Sequence, residues 1–284
     1  MESQWLTTRL GSLAWRSSGH GPTLVFFAGA LANGDLWRDV VLALEDRYRC
    51  VTIDLPLGAH PWPLESGADR SPGSLARLML ECLELLELDD ATVVANDTAG
   101  GLFLLSLATG HGALGRVGRV VLTNCDNYDQ FPPDALKKGA AMCRRAPRLA
   151  RTAFRLQVGT AIGRRRGIAT VVATELDPER EEAFFGPGRR DPRIVDDMVA
   201  AIGGCRPELL VDAADAIPGF DRPVLLVWGE ADGFFPMAHA HRLASAFPRA
   251  TLIPVPGAKT WVPVDNADAV ADGIAGFVPL PVAG

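Results

Sequence analysis

Asp97 stands at the apex of Thr92-Val93-Val94-Ala95-Asn96-Asp97-Thr98-Ala99-Gly100-Gly101, where β-branched strand residues give way to small residues and then to an apolar helix. Such a strand–turn–helix elbow lifts one side chain above a parallel sheet. A carboxylate at that point is suited to two kinds of chemistry, nucleophilic attack on carbon or general-base removal of a proton. The plainer role for Asp97 is to cap the helix that follows by accepting from its first N–H groups. An elbow apex is strained and points into a pocket, which favours a functional role. A helix N-terminus lowers a carboxylate's pKa and burial raises it, so nucleophile and base both stay open.

A carboxylate nucleophile needs a second group to activate water, and imidazole is the common one. The histidines are His20, His60, His111, His239 and His241. His60 lies in Asp54-Leu55-Pro56-Leu57-Gly58-Ala59-His60, a loop that leaves the carboxyl end of a strand. It is the candidate substitute base, although a lone histidine in a Pro-rich loop is commonly structural. Asp232, in Gly229-Glu230-Ala231-Asp232-Gly233-Phe234-Phe235-Pro236, and Asp126 lie just beyond the apolar runs Val224–Trp228 and Val120–Thr123. Asp54 reads as support for its own loop. Asn96, Lys259, Thr260, Trp261 and Trp62 are candidates for contact with a substrate, and Phe154, Phe184 and Phe185 for pocket walls.

The elements that must position these residues follow from apolar patterning. Thr23–Ala28, Cys50–Ile53, Val93–Ala95, Val120–Thr123, Val224–Trp228 and Leu252–Val255 are short apolar runs, the signature of strands buried on both faces. Between them, Leu75–Leu88 carries an apolar stripe at helical spacing, and Gly101–Thr109 is apolar nearly all round. The alternation specifies a doubly wound α/β sheet. It breaks from about Tyr128 to Ile217, a stretch with helical pattern and no convincing strand. Its turns are expected at Pro132-Pro133, Pro147, Gly186-Pro187-Gly188 and Pro207. The expected organisation is an α/β core over 1–127 and 218–284 with a helical lid over 128–217.

The chain has 284 residues, 48% of them hydrophobic, enough for one large core. Its net charge of −6 argues against nucleic acid as a partner. Five cysteines (Cys50, Cys82, Cys125, Cys143 and Cys205) show neither CxxC nor Cys/His spacing and read as reduced thiols. There is no secretory leader pattern at Met1–Trp5 and no long apolar run, so the expectation is a cytoplasmic protein without a membrane partner. No metal, nucleotide or flavin motif is visible, and the glycines of the elbow lack dinucleotide spacing. Nothing in the sequence signals an oligomeric state. Arg144, Arg148, Arg151 and Arg155 recur at helical spacing, which reads as a solvated face or as a surface for an anionic partner.

Taken in order, these motifs resemble the α/β-hydrolase superfamily, in its branch with an aspartate nucleophile that includes haloalkane dehalogenases and epoxide hydrolases. The match runs from about Leu13 to Phe277. Phe26-Phe27-Ala28-Gly29-Ala30 resembles the oxyanion loop, Asn96-Asp97-Thr98 the elbow, and Gly229–Pro236 the acid loop. The resemblance implies an α/β-hydrolase fold, an oxyanion hole from the backbone N–H groups of Ala30 and Thr98, and Asp232 as the triad acid, with Asp126 at a second position used for that acid. It also implies a histidine after the last strand, where this chain has Pro256-Gly257-Ala258-Lys259-Thr260-Trp261-Val262-Pro263 with Thr260 in register. The tryptophan after the nucleophile and the oxyanion-loop asparagine of dehalogenases are Thr98 and Ala30 here. The lid tyrosines of epoxide hydrolases have no counterpart, since the only tyrosines are Tyr48 and Tyr128.

An ester formed on Asp97 would persist without a water-activating base. The expectation is therefore a cofactor-free enzyme that acts on a small, largely apolar molecule by proton transfer: elimination, isomerisation or cyclisation. Two alternatives stand beside it. One is hydrolysis of an ester, epoxide or alkyl halide with a displaced base, and the other is a ligand-binding protein without turnover.

Overall fold

Uninterrupted apolar runs form the middle of a single sheet. The structure, a computed structural model, describes residues 3–281. Its strands are β1 (Gln4–Thr8), β2 (Gly11–Ser18), β3 (Thr23–Phe27), β4 (Arg49–Ile53), β5 (Ala91–Asp97), β6 (Val117–Cys125), β7 (Val224–Gly229) and β8 (Ala250–Val255). They lie in the order β1-β2-β4-β3-β5-β6-β7-β8. β1 and β2 pair antiparallel with their neighbours, and every pairing from β4 across to β8 is parallel. The six strands expected from apolar runs are all present. The β1–β2 hairpin was not expected; its edge residues are half-exposed and its polar, alternating composition hides it among loops.

The helices on the sheet are α1 (Arg38–Leu44), α2 (Pro72–Leu85) and α3 (Thr98–Leu107). Six helices then follow between β6 and β7: α4 (Lys137–Arg145), α5 (Pro147–Gly159), α6 (Ala161–Val171), α7 (Pro178–Arg190), α8 (Pro192–Gly204) and α9 (Pro207–Ala213). α10 (Met237–Ala246), α11 (Val262–Asp265) and α12 (Ala267–Phe277) complete the chain. Side chains of α2, α3 and α10 cover one face of the sheet, and those of α1 and α12 the other. Every residue of α3 is buried, as its all-round apolar sequence requires. Four helices of the β6–β7 segment begin with proline in the first turn, where its missing N–H costs nothing.

At one place the segment departs from expectation. Gly186-Pro187-Gly188 is not a turn: α7 runs through it. Pro187 has no N–H for the Ala183 carbonyl one turn back, and the Asn33 side-chain amide fills that place, donating to Ala183 O at 2.9 Å. The same amide donates to Ala59 O at 3.1 Å. One side chain thus ties the loop after β3, the loop after β4 and α7 together.

Candidate active site

β5 delivers Asp97 into a left-handed conformation, φ 54° and ψ −128°, before α3 begins. A non-glycine residue rarely sits there, and the strain marks a side chain that the surrounding fold forces into place. Gly29 makes room for it: a Cβ at Gly29 would lie 2.6 Å from Asp97 Cβ and 2.7 Å from Thr98 N. Only glycine admits so close a crossing of loop and elbow.

The Ala30 N–H donates to Asp97 Oδ2 at 3.1 Å, and the Thr98 hydroxyl reaches the same oxygen at 3.5 Å. Neither of these two bonds engages Oδ1. Burial pushes the Asp97 carboxyl up to about 6; the Thr98 and Ala30 backbone N–H groups pull it down, and Asp232 raises it further. The Ala30 N–H, expected in an oxyanion hole, is engaged by Asp97 itself.

Asp97, Thr98 and Ala30 open onto a cavity of about 250 Å³ whose remaining walls are largely apolar. Phe154, Ile168, Phe185, Met198 and Ile202 come from the helical segment, and Trp261 from the loop after β8. The Trp261 indole packs edge-on against Phe184, with ring centroids 5.1 Å apart, and its buried Nε1 has no hydrogen-bond partner among the described residues. Asp126, also buried, lines the same cavity. Burial, then the charge of Asp97, holds its carboxyl well above the usual range.

Asp232 does not reach the cavity walls. Its Oδ1 accepts from the Thr260 hydroxyl at 3.0 Å and from Phe234 N at 2.7 Å, and its Oδ2 from Asn124 Nδ2 at 2.7 Å. Asn124 also bonds both backbone groups of Gly229, locking β6 to β7 beside the acid loop. Asn96 turns into this framework, donating to Thr123 Oγ1 at 2.8 Å and Thr260 O at 2.7 Å. Asn96 and Thr260 hold the site together from behind and do not line the cavity.

Three other candidates lie elsewhere. His60 is buried, with Nε2 3.1 Å from Asp197 Oδ2 on α8 and Nδ1 accepting from Gly58 N at 3.4 Å. Arg70 Nε joins the same Asp197 carboxylate at 2.5 Å, so His60 clasps a loop to α8 and is absent from the cavity walls. The expectation of His60 as a displaced base is corrected accordingly: both ring nitrogens are occupied by structural bonds. Lys259 Nζ donates to Ala169 O and Val172 O at the end of α6, and so braces the helical segment. Trp62 is 52% exposed against Trp5, outside the cavity. Among the described residues, no histidine lines the cavity.

Several walls were not anticipated, among them Gln157, Met198, Ile202 and Cys205. The stripe at Arg144, Arg151 and Arg155 is largely bonded within the segment: Arg151 and Arg155 meet Asp196, and Arg144 meets Gly203 O.

A parallel sheet with an elbow aspartate at the carboxyl end of its central strand, a backbone amide poised beside it and a helical segment over the pocket define a class of enzyme-like fold. The chain belongs to the alpha/beta hydrolase fold family, whose model matches residues 22–267. It is 29% identical to haloalkane dehalogenase 2 of Mycobacterium tuberculosis, over 96% of this chain and 93% of that protein. Among solved structures it is similar to haloalkane dehalogenase DbeA from Bradyrhizobium elkani (TM-score 0.77, 16% identity, 97% of each chain). A thermophilic esterase from Thermogutta terrifontis matches with TM-score 0.73 and 19% identity, over 98% of each chain. No helix among the described residues is long and apolar enough to cross a membrane.

Proposed function

We propose that this protein is a cofactor-free acid–base enzyme for a small, largely apolar molecule, with Asp97 as the reacting carboxyl and a non-hydrolytic outcome. One observation carries the reading: the cavity that holds Asp97 has no imidazole among its described walls, and the loop that follows β8 presents Thr260, whose hydroxyl is bound to Asp232. Asp97 itself is matched to proton transfer near neutrality, since a base works best with a pKa close to the operating pH. The helical segment from 128 to 217 acts as the lid that keeps the cavity dry. Incubation with a panel of small ketones, enones and epoxides in deuterium oxide, followed by NMR, tests this. Deuterium uptake or rearrangement that disappears in Asp97→Asn is the expected result; products carrying oxygen from labelled water would overturn it.

Hydrolysis is the second reading, favoured by the names of the relatives and by the Ala30 N–H on Asp97 Oδ2, which leaves Oδ1 free to attack carbon. The elbow Asp would then form an ester whose carbonyl oxygen already sits on that N–H. Intact-mass measurement after exposure to alkyl halides and epoxides separates the two readings. A stable adduct on Asp97, turned over only after Thr260→His, would favour the hydrolytic line of descent.

A further inference from the structure

Removal of a proton from carbon by Asp97 places negative charge on the substrate, and that charge needs a donor. The Ala30 N–H is already on Asp97 Oδ2. Among the cavity's walls, Trp261 Nε1–H and a protonated Asp126 are candidates, and Asp126 is the one set beside Asp97. It is 2% exposed, lines the cavity, and its Oδ1 has no hydrogen-bond partner among the described residues. A buried polar atom without a partner is uncommon and costly, and a catalytic role is one explanation for such a group beside a cavity.

The position is built by the sheet. Pairing of β5 with β6 sets Asp97 opposite Cys125, so the next residue, Asp126, emerges beside it. A Cβ at Gly101 would lie 2.6 Å from Asp126 Cβ, so α3 starts hard against this side chain. The titratable groups that act on it or sense it are Asp97 on β5, Cys125 beside it and Cys205 on the loop between α8 and α9. None is a cation. The Thr98 hydroxyl alone favours its charged form. Two carboxyls in one dry cavity do not both ionise readily: the pair gives up one proton near pH 6 and keeps the other.

We infer that Asp126 is a second catalytic carboxyl, which stays protonated and donates to a carbonyl oxygen of the substrate while Asp97 deprotonates the adjacent carbon. This rests on the acid–base reading of the site and names its substrate class: small, apolar ketones or enones with an enolisable C–H. Asp97 Oδ1 takes the proton from the carbon next to the carbonyl. The C–H electron pair forms a carbon–carbon double bond, the carbonyl π pair moves onto oxygen, and that oxygen takes up the Asp126 proton. For a β,γ-unsaturated ketone the proton on Asp97 then returns to the γ carbon and the enol proton returns to Asp126. The double bond has moved, both carboxyls are as they began, and no oxidant or reductant is consumed. A carboxylic acid kept neutral by an apolar site is a strong donor to an enolate oxygen.

Two measurements test Asp126 without turnover, so they stand apart from the deuterium experiment. The first is the infrared spectrum of the wild-type protein above neutral pH, where a protonated-carboxyl C=O band absent from Asp126→Asn is expected. The second uses 4-nitrophenolate as an enolate mimic, bound to Asp97→Asn so that position 97 is neutral, as it is after proton abstraction. Replacement of Asp126 by Ala in that background is expected to weaken phenolate binding about tenfold or more, the worth of a hydrogen bond to a charged group. Should Asp126→Ala fail to fold, Asp126→Asn takes its place, with a smaller loss because one donor remains. Absence of the infrared band, absence of phenolate binding to Asp97→Asn, or equal phenolate affinity with and without Asp126 would each overturn the assignment.

Discussion

Asp97 is charged only against the resistance of its surroundings. Its carboxyl moves from 3.8 to about 6 on folding, so at about 1.4 kcal/mol per pH unit the ionised form costs about 3 kcal/mol in the folded state. A group raised in this way contributes stability below about pH 4 and loses it as pH rises through about 6. Asp97→Asn keeps an acceptor for the Ala30 N–H and removes the charge. Thermal denaturation should therefore find the variant more stable than wild type at pH 8 and the difference gone near pH 4. Its activity should fall roughly 10²–10⁴-fold, the usual contribution of a general base. The wild-type pH–rate profile should rise with an acid limb at about pH 6, where Asp97 ionises.

Elements decide how closely these groups approach. Gly29→Ala would drive a methyl into Asp97 Cβ and Thr98 N, and the elbow would have to retreat. An activity loss of roughly 10²-fold with a lowered melting temperature is expected, since small misplacements of a reacting group are costly. Most of this architecture was legible in the chain. The central strands are apolar without interruption, and the elbow announces itself by a run of small residues at a strand end. The β1–β2 hairpin was not legible, because an edge strand solvated on one side looks like a loop. Nor was the continuity of α7 across Gly186-Pro187-Gly188, since the compensating Asn33 amide comes from far away in sequence. For the site, Asp97 and Asp126 could be read from their strands. Thr260 and Lys259 could be read only as a loop, because whether a side chain faces a cavity, an acid or a neighbouring helix depends on packing. His60 shows the same limit: its loop was correctly placed near a strand end, and its partner Asp197 lies on a helix 137 residues on.

Across the protein, buried acid dominates. Asp54, Asp97, Asp126 and Asp232 all have raised carboxyls, chiefly through burial. Asp197, held by His60, Leu64 N and Arg70, is lowered, as are the surface aspartates Asp69, Asp129, Asp177 and Asp191. The raised group loses stability as pH rises through about 6 and above; the lowered group loses it as pH falls below the ordinary carboxylate range. The melting temperature should thus peak in acid near the ordinary aspartate value, at about pH 4, and scans from about pH 3 to 8 check this. All five cysteines are free and buried, and burial holds the Cys50 thiol up at about 12. A thiol reagent should find almost none in the native protein and five after denaturation. Asn33 carries a consequence of another kind. Because one amide group bridges Ala59 O and Ala183 O three residues beyond Ala30, the segment above the cavity and the loop that grips Asp97 share a fastening. Their opening fluctuations should be synchronous: native-state hydrogen exchange at the Ala30 amide should keep pace with that of α7, and Asn33→Ala should let the two run at separate rates.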